Sequence, residues 1–171
     1  GGGSTILKNA IDTAQNYGTL FIAAVGNDML KLNYDPQYPA LYDLGNVLAV
    51  GAHDTLPGGL RPFAAFSNFS NDEVDLAAFG VDVESAAPGG GTALKSGTSM
   101  AAPMVSAAAC LYGCENGFNP VTASAYILAN AFNDSDLSEV VIGGIALDVS
   151  AFCTAPLEET GNKPAVAFSI R

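Results

Sequence analysis

Two uninterrupted apolar runs, Leu20 to Val25 and Val47 to Ala52, constrain the fold of this chain more than any other feature. A strand with one wet face alternates apolar and polar residues. A continuous run instead predicts a strand covered on both faces, as in a parallel sheet. Between them, Asp28 to Tyr42 is rich in Asn, Asp, Pro and Tyr and reads as a loop. Ahead of them, Ile6, Leu7, Ala10, Ile11, Ala14 and Tyr17 fall on one face of a helix that Gly18 ends. Helix, buried strand, loop and buried strand predict an α/β fold, with a parallel sheet and covering helices.

The rest of the chain is consistent with one domain. Thr55 to Arg61 contains Pro57-Gly58-Gly59 and reads as a turn. Asp75 to Ala78 and Val83 to Ala87 are weak short strands. Met100 to Leu111 is Ala-rich and reads as a buried helix. Pro120 opens another helix over about Val121 to Ala131. The tail from Thr154 to Arg171 carries no motif, and no internal repeat is visible. With 171 residues, 49% of them apolar, the chain can bury a real core. Its net charge of −11, with only six Lys and Arg, argues against nucleic acid as a partner. No apolar run is long enough to span a membrane. Three cysteines, Cys110, Cys114 and Cys153, cannot all pair within one chain. Cys114 with Cys153 is a possible bridge; buried or free thiols are the simpler reading.

Chemistry points to Gly97-Thr98-Ser99-Met100-Ala101-Ala102-Pro103, which joins the glycine-rich stretch Gly89 to Gly97 to the Ala-rich helix. A serine at a helix start has an unpaired backbone N–H, sits where the helix dipole favours negative charge, and points its side chain out of the end. Gly97 allows close approach of a substrate to the backbone. Pro103 removes one amide donor early in the helix and leaves the Ser99 carbonyl without its usual partner. The plainer reading of Ser99 is an N-cap.

This stretch resembles the nucleophile segment of subtilisin-like serine proteases, the S8 or subtilase family. Leu20-Phe21-Ile22-Ala23-Ala24-Val25-Gly26-Asn27-Asp28 is similar to the family's strand and loop carrying the oxyanion-hole asparagine. Tyr38-Pro39-Ala40, followed by Asn46-Val47-Leu48-Ala49-Val50-Gly51-Ala52, is similar to the next family strand. The resemblance runs from about Ser4 to Phe152. It implies the C-terminal part (residues 1–153) of a three-layer subtilisin-like catalytic domain, followed by a tail (154–171). It implies a secreted or extracytoplasmic serine endopeptidase acting on peptides or proteins, with Ser99 as the acylated nucleophile and Asn27 as an oxyanion donor. Removing one such donor costs about 10²–10³ in rate, a magnitude that comes from a subtilisin rather than from this chain. Ala23, Ala24, Val25 and Gly26, with Gly97 and Thr98, match the substrate-binding positions. The small, uncharged wall predicts apolar or aromatic side chains before the scissile bond in preference to basic ones. No cofactor is needed for chemistry. Carbonyls of Ala40 and Tyr42 with carboxylates of Glu73 and Asp75 match a weak structural Ca²⁺ site; solvated surface charge is the plainer reading of the two acids.

A serine hydroxyl needs an adjacent base, and in the subtilase order both Asp and His precede Ser. The single histidine, His53, stands where the family has no catalytic role. The triad's acid and base are therefore expected before Gly1, in an upstream part of the same domain. No initiator Met or signal-peptide pattern opens the chain, which reads as the remainder of something longer. Met104, Ala107 and Phe79 replace residues usual in the family. An α/β-hydrolase would need its His after Ser99, and none follows. A phosphate-binding loop at Gly89-Gly90-Gly91 fails because Leu94, not Gly, precedes Lys95. The remaining alternative is a non-catalytic subtilase-like fragment that acts as a binding module.

Overall fold

The computed structural model describes residues 2–152. Its centre is a sheet of order β1-β2-β3-β7-β6. β1 (Phe21–Ala24), β2 (Val47–His53) and β3 (Leu76–Phe79) run parallel, with Ala24 opposite Val50 and Ala52 opposite Ala78. The two-residue strands β6 (Phe132–Asn133) and β7 (Ile145–Ala146) complete it; β7 is parallel to β3 and β6 antiparallel to β7. Both apolar runs are thus parallel strands.

Side chains alternate across this sheet. Leu48, Val50, Ala52, Leu76 and Ala78 form one core with Ala101, Val105, Ala108 and Ala109 of α2 (Thr98–Asn116) and Ile127 of α3 (Pro120–Ala129). On the opposite face Ala23, Val25, Ala49 and Ala77 pack under Leu32, Ala40, Leu137 and Val141. That second face is covered by loop and short 3-10 segments among the described residues.

The buried residues of α2, Thr98, Ala101, Val105, Ala108 and Ala109, recur at helical spacing and form one stripe facing the sheet. Small residues there bring the helix close to the strands. The helix starts at Thr98, two residues before the start expected from the sequence, and runs on to Gly117 at φ +74°. Pro103 therefore sits at the sixth helical position, just beyond the turn where its missing N–H would cost nothing. Asn119 caps α3 by accepting from the N–H groups of Val121 and Thr122, and Pro120 opens it as expected.

α1 (Thr5–Gln15) forms where expected, capped by Ser4, whose Oγ accepts from Leu7 N–H. Its apolar stripe is not a core stripe among the described residues. Only Ile11 is buried, while Ile6 and Tyr17 are each 84% exposed. The helix is tied down by polar contacts instead. Tyr42 Oη donates to the Ser4 carbonyl (2.9 Å), and Asn46 Nδ2 donates to the Ile11 carbonyl (2.9 Å).

The glycine-rich stretch is a hairpin rather than a loop alone. β4 (Val83–Ala86) pairs antiparallel with β5 (Thr92–Lys95), and Gly89, Gly90 and Gly91 make the turn with positive φ. Cys110 and Cys114 are free and exposed on α2. Cys153 and the tail lie outside the described residues.

Candidate active site

Residues from three strand ends and one helix start meet at the carboxyl edge of the parallel strands, where α/β sheets place ligands. Gly26 and Asn27 follow β1, Gly80 follows β3, and Gly97 to Ser99 open α2. The link between them is a run of backbone bonds. Gly80 N–H donates to the His53 carbonyl (3.0 Å), and Gly97 N–H donates to the Gly80 carbonyl (2.8 Å). The start of α2 is thereby fixed to the ends of β2 and β3.

Ser99 is the second residue of α2, exposed, in the first turn. Gly97, not Ser99, is the N-cap, so the plain capping reading of this serine does not hold. The first-turn amides divide three ways. Met100 and Ala101 N–H reach the Gly97 carbonyl, Thr98 N–H is taken by Asn27, and Ser99 N–H has no partner among the described residues. The Ser99 hydroxyl likewise has no hydrogen-bond partner there, and Pro103 withholds the usual helical donor from the Ser99 carbonyl.

Asn27 is held by its oxygen. Its Oδ1 accepts from Thr98 N–H (2.8 Å) and from Thr98 Oγ1–H (3.0 Å). A backbone N–H can only donate, so the atom facing it is oxygen and the amide nitrogen is the free end. That nitrogen lies next to Gly97, where a Cβ would approach it to 3.2 Å. Any side chain at Gly97 would crowd the amide nitrogen of Asn27.

Thr98 is fully buried. Besides holding Asn27, its Oγ1 accepts from Gly26 N–H (3.2 Å). Thr98, which matches a substrate-binding position, turns its hydroxyl inward and spends it on two residues of the β1 loop. Ala23 and Val25 are also core side chains, 5% and 0% exposed. Alternate residues of a strand face opposite ways, so the pocket wall read from Ala23 to Gly26 can present side-chain surface only at Ala24 and backbone elsewhere.

Two residues that sequence reasoning missed shape the site. Gly80 is the point where β2, the helix start and α2 crowd together: a Cβ there would lie 2.8 Å from Ala52 Cβ and 2.9 Å from the Gly97 carbonyl oxygen. Asn68, fully buried, bonds the loop on both sides of Asn27. Neither carries a local signal beyond being a glycine after a strand and an asparagine in a polar stretch.

His53 does not serve Ser99. It is buried at the end of β2, its Nδ1 donates to the Asp54 carbonyl (2.7 Å), and its ring lies against Phe79. Burial holds its pKa below the usual histidine value, only partly offset by the Asp54 carbonyl. Met104 and Ala107 are half-buried on α2, away from its first turn, so these departures bear on packing.

The positions expected to hold a cation do share one place. Ala40, Tyr42, Glu73 and Asp75 line an open cleft of about 340 Å³, and Asp43 and Asp72 line it too. Asp75 accepts from Ala49 N–H (2.7 Å), and burial pushes its carboxyl above the usual aspartate value. Among the described residues no three His, Cys, Asp or Glu side chains converge to hold a metal. One Asp75 oxygen is already engaged by the Ala49 amide.

The chain is similar in sequence to several serine proteinases. The thermophilic serine proteinase of Bacillus sp. strain AK1 is 39% identical over 116 residues, covering 68% of this chain and 26% of that protein. Subtilisin DY of Bacillus licheniformis is 40% identical over 110 residues, covering 64% and 38%. The chain thus spans well under half the length of these curated relatives. Among solved structures, one described as the structural basis of subtilase cytotoxin SubAB assembly superposes with a TM-score of 0.75 at 24% identity. It covers 90% of this chain and 55% of the other, and shows that the fold is shared. With the sequence profile of the Subtilase family (Peptidase S8) matching residues 1–163, this chain belongs to the subtilases.

Proposed function

We propose that this chain is the C-terminal portion of a serine endopeptidase catalytic domain and that Ser99 is its acylated nucleophile. The observation that carries the reading is the pairing of Asn27 with the start of α2. Thr98 grips the asparagine oxygen, so its amide N–H₂ is left free beside an exposed serine whose own N–H is also free. Two preorganised donors next to a hydroxyl are what acyl transfer requires. Ser99 Oγ attacks the peptide carbonyl carbon, and its proton passes to a base supplied from outside the described residues. Asn27 Nδ2–H and Ser99 N–H stabilise the developing oxyanion. The amine leaves with that proton, and water then releases the acyl group from Ser99.

The base and its aspartate belong, in this reading, to sequence upstream of Gly1, so the chain by itself turns over peptides far more slowly than the complete enzyme. The Ala24–Gly26 wall carries no charged side chain of its own, the basis for a preference for apolar or aromatic residues before the cut, although Asp28 Oδ2 stands 3.9 Å from where a Gly26 Cβ would be. The substrate is a peptide or protein met outside the cytoplasm. Among the described residues no helix is long and apolar enough to cross a membrane. The oxygens at Ala40, Tyr42, Glu73 and Asp75 form a structural Ca²⁺ site with no part in the chemistry; a rise in melting temperature with added Ca²⁺, lost in Glu73→Gln with Asp75→Asn, is its test.

A fluorophosphonate probe applied to the complete enzyme tests the central assignment. Labelling on Ser99 that disappears in Ser99→Ala is expected. Labelling unchanged by that substitution refutes it. Absence of labelling in the complete, folded protein favours the binding-module alternative.

A further inference from the structure

We propose that Asn68 is a positioning residue for the oxyanion donor: it sets the backbone of the loop from which Asn27 projects. The proposal rests on the reading of Asn27 given above and goes beyond it.

Asn68 is fully buried, and its polar groups are spent on the loop around Asn27. Its Nδ2 donates to the Val25 carbonyl (2.8 Å) and its own N–H donates to the Gly26 carbonyl (2.9 Å). Its Oδ1 accepts from the N–H groups of Asp28 (3.0 Å) and Leu30 (2.9 Å). These four bonds bracket Asn27 on both sides without touching it. The asparagine side chain is then oriented from the other direction, by Thr98. Its backbone and its side chain are thus fixed by two different residues.

The chemistry explains why an asparagine stands here. The site needs one donor for Val25 and one acceptor for two amides. A primary amide supplies both from two separate atoms in one plane; an ionised aspartate has no donor, and a serine hydroxyl puts donor and acceptor on a single atom. Gly26 is coupled to the same arrangement. It sits at φ +102°, and a Cβ there would lie 2.5 Å from Asn68 Nδ2. The amide has occupied the space a side chain at 26 would need. Asn68 is itself anchored: Ser67 Oγ donates to the Asn68 carbonyl (3.0 Å) and accepts from Ala52 N–H (3.1 Å), tying the clamp to β2.

An acyl-transfer oxyanion is sensitive to donor placement; a shift of 1 Å can cost about 10²-fold. Asn68→Asp keeps the volume and the acceptors for Asp28 and Leu30 but sets a carboxylate oxygen against the Val25 carbonyl. In the complete enzyme, kcat is expected to fall by about 10–100-fold with KM little changed. The double variant with Asn27→Ala separates positioning from a general effect on the fold. If Asn68 acts through Asn27, Asn68→Asp costs less than about twofold once Asn27 is already Ala. An equal loss in both backgrounds overturns the proposal, because a structural defect does not depend on the residue at 27. Asn68→Ser provides a second, smaller lesion with the same expected dependence. If neither variant folds, Asn68 serves stability and the proposal fails. If Asn27→Ala alone leaves kcat unchanged, the oxyanion role of Asn27 fails instead, which is a different result from additive losses.

Discussion

Replacing Gly80 by Ala puts a methyl group where three fixed atoms already stand. The new Cβ would lie 2.8 Å from Ala52 Cβ, 2.9 Å from the Gly97 carbonyl oxygen and 3.3 Å from Ala101 Cβ. Carbon atoms pack comfortably at about 3.5–4.0 Å, so the first contact is short by about 0.7 Å. None of the three neighbours has a torsion that swings it away. Relief requires β2, β3 and the start of α2 to spread. Overpacking costs about 1–3 kcal/mol, and three rigid neighbours place this case at about 2–3. With an m-value of about 2 kcal/mol per molar urea, the unfolding midpoint of the complete domain falls by about 1–1.5 M. The Gly97–Gly80 hydrogen bond lies on the same line of strain, so peptide turnover falls along with stability. A midpoint within about 0.2 M of wild type at unchanged m would refute the packing argument.

Other expectations follow from single features. Met29 holds φ +55° while its side chain is 63% exposed, so Met29→Gly removes left-handed strain at little packing cost. It is expected to stabilise the domain by about 1 kcal/mol in urea titrations, and destabilisation would contradict this. His53 has a lowered folded pKa, so below 6.5 the unfolded chain binds the extra proton. Stability should then rise with pH through the window between the lowered value and 6.5, and be lost on acidification; His53→Gln should flatten that slope in midpoints measured across the window. A peptide-library profile of the complete enzyme should favour apolar or aromatic residues before the cut, and strong selection for Arg or Lys there would show that the Ala24–Gly26 wall has been misread.

How much the sequence disclosed depended on whether a feature was local. β1 and β2 were legible because continuous apolar runs have one economical fate in an α/β chain. Ser99 and Asn27 each sit in a short, distinctive string of neighbours, and the fold brings those two strings together through Thr98. β5 was hidden: its side chains are mostly exposed, and the adjacent Gly89–Gly91 run reads as loop. The α1 stripe was periodic as required, yet periodicity reports an apolar face and not what covers it. Nothing in the string Gly97-Thr98-Ser99 distinguishes a hydroxyl facing substrate from one turned back on Asn27. Gly80 and Asn68 act through partners distant in the chain, so their roles emerge only from the assembled backbone.

The bond from Thr98 to Asn27 joins residues 71 apart, and the one from Thr98 to Gly26 spans 72. Closing a loop of that length has an entropic cost that the later contacts must first offset. In time, this makes the oxyanion geometry a product of near-complete folding rather than of any early helix or strand. Any state in which α2 is not docked lacks the grip on Asn27, because Thr98 supplies it. If Ser99 is the nucleophile proposed above, the cutting geometry is absent while the backbone is still open to being cut.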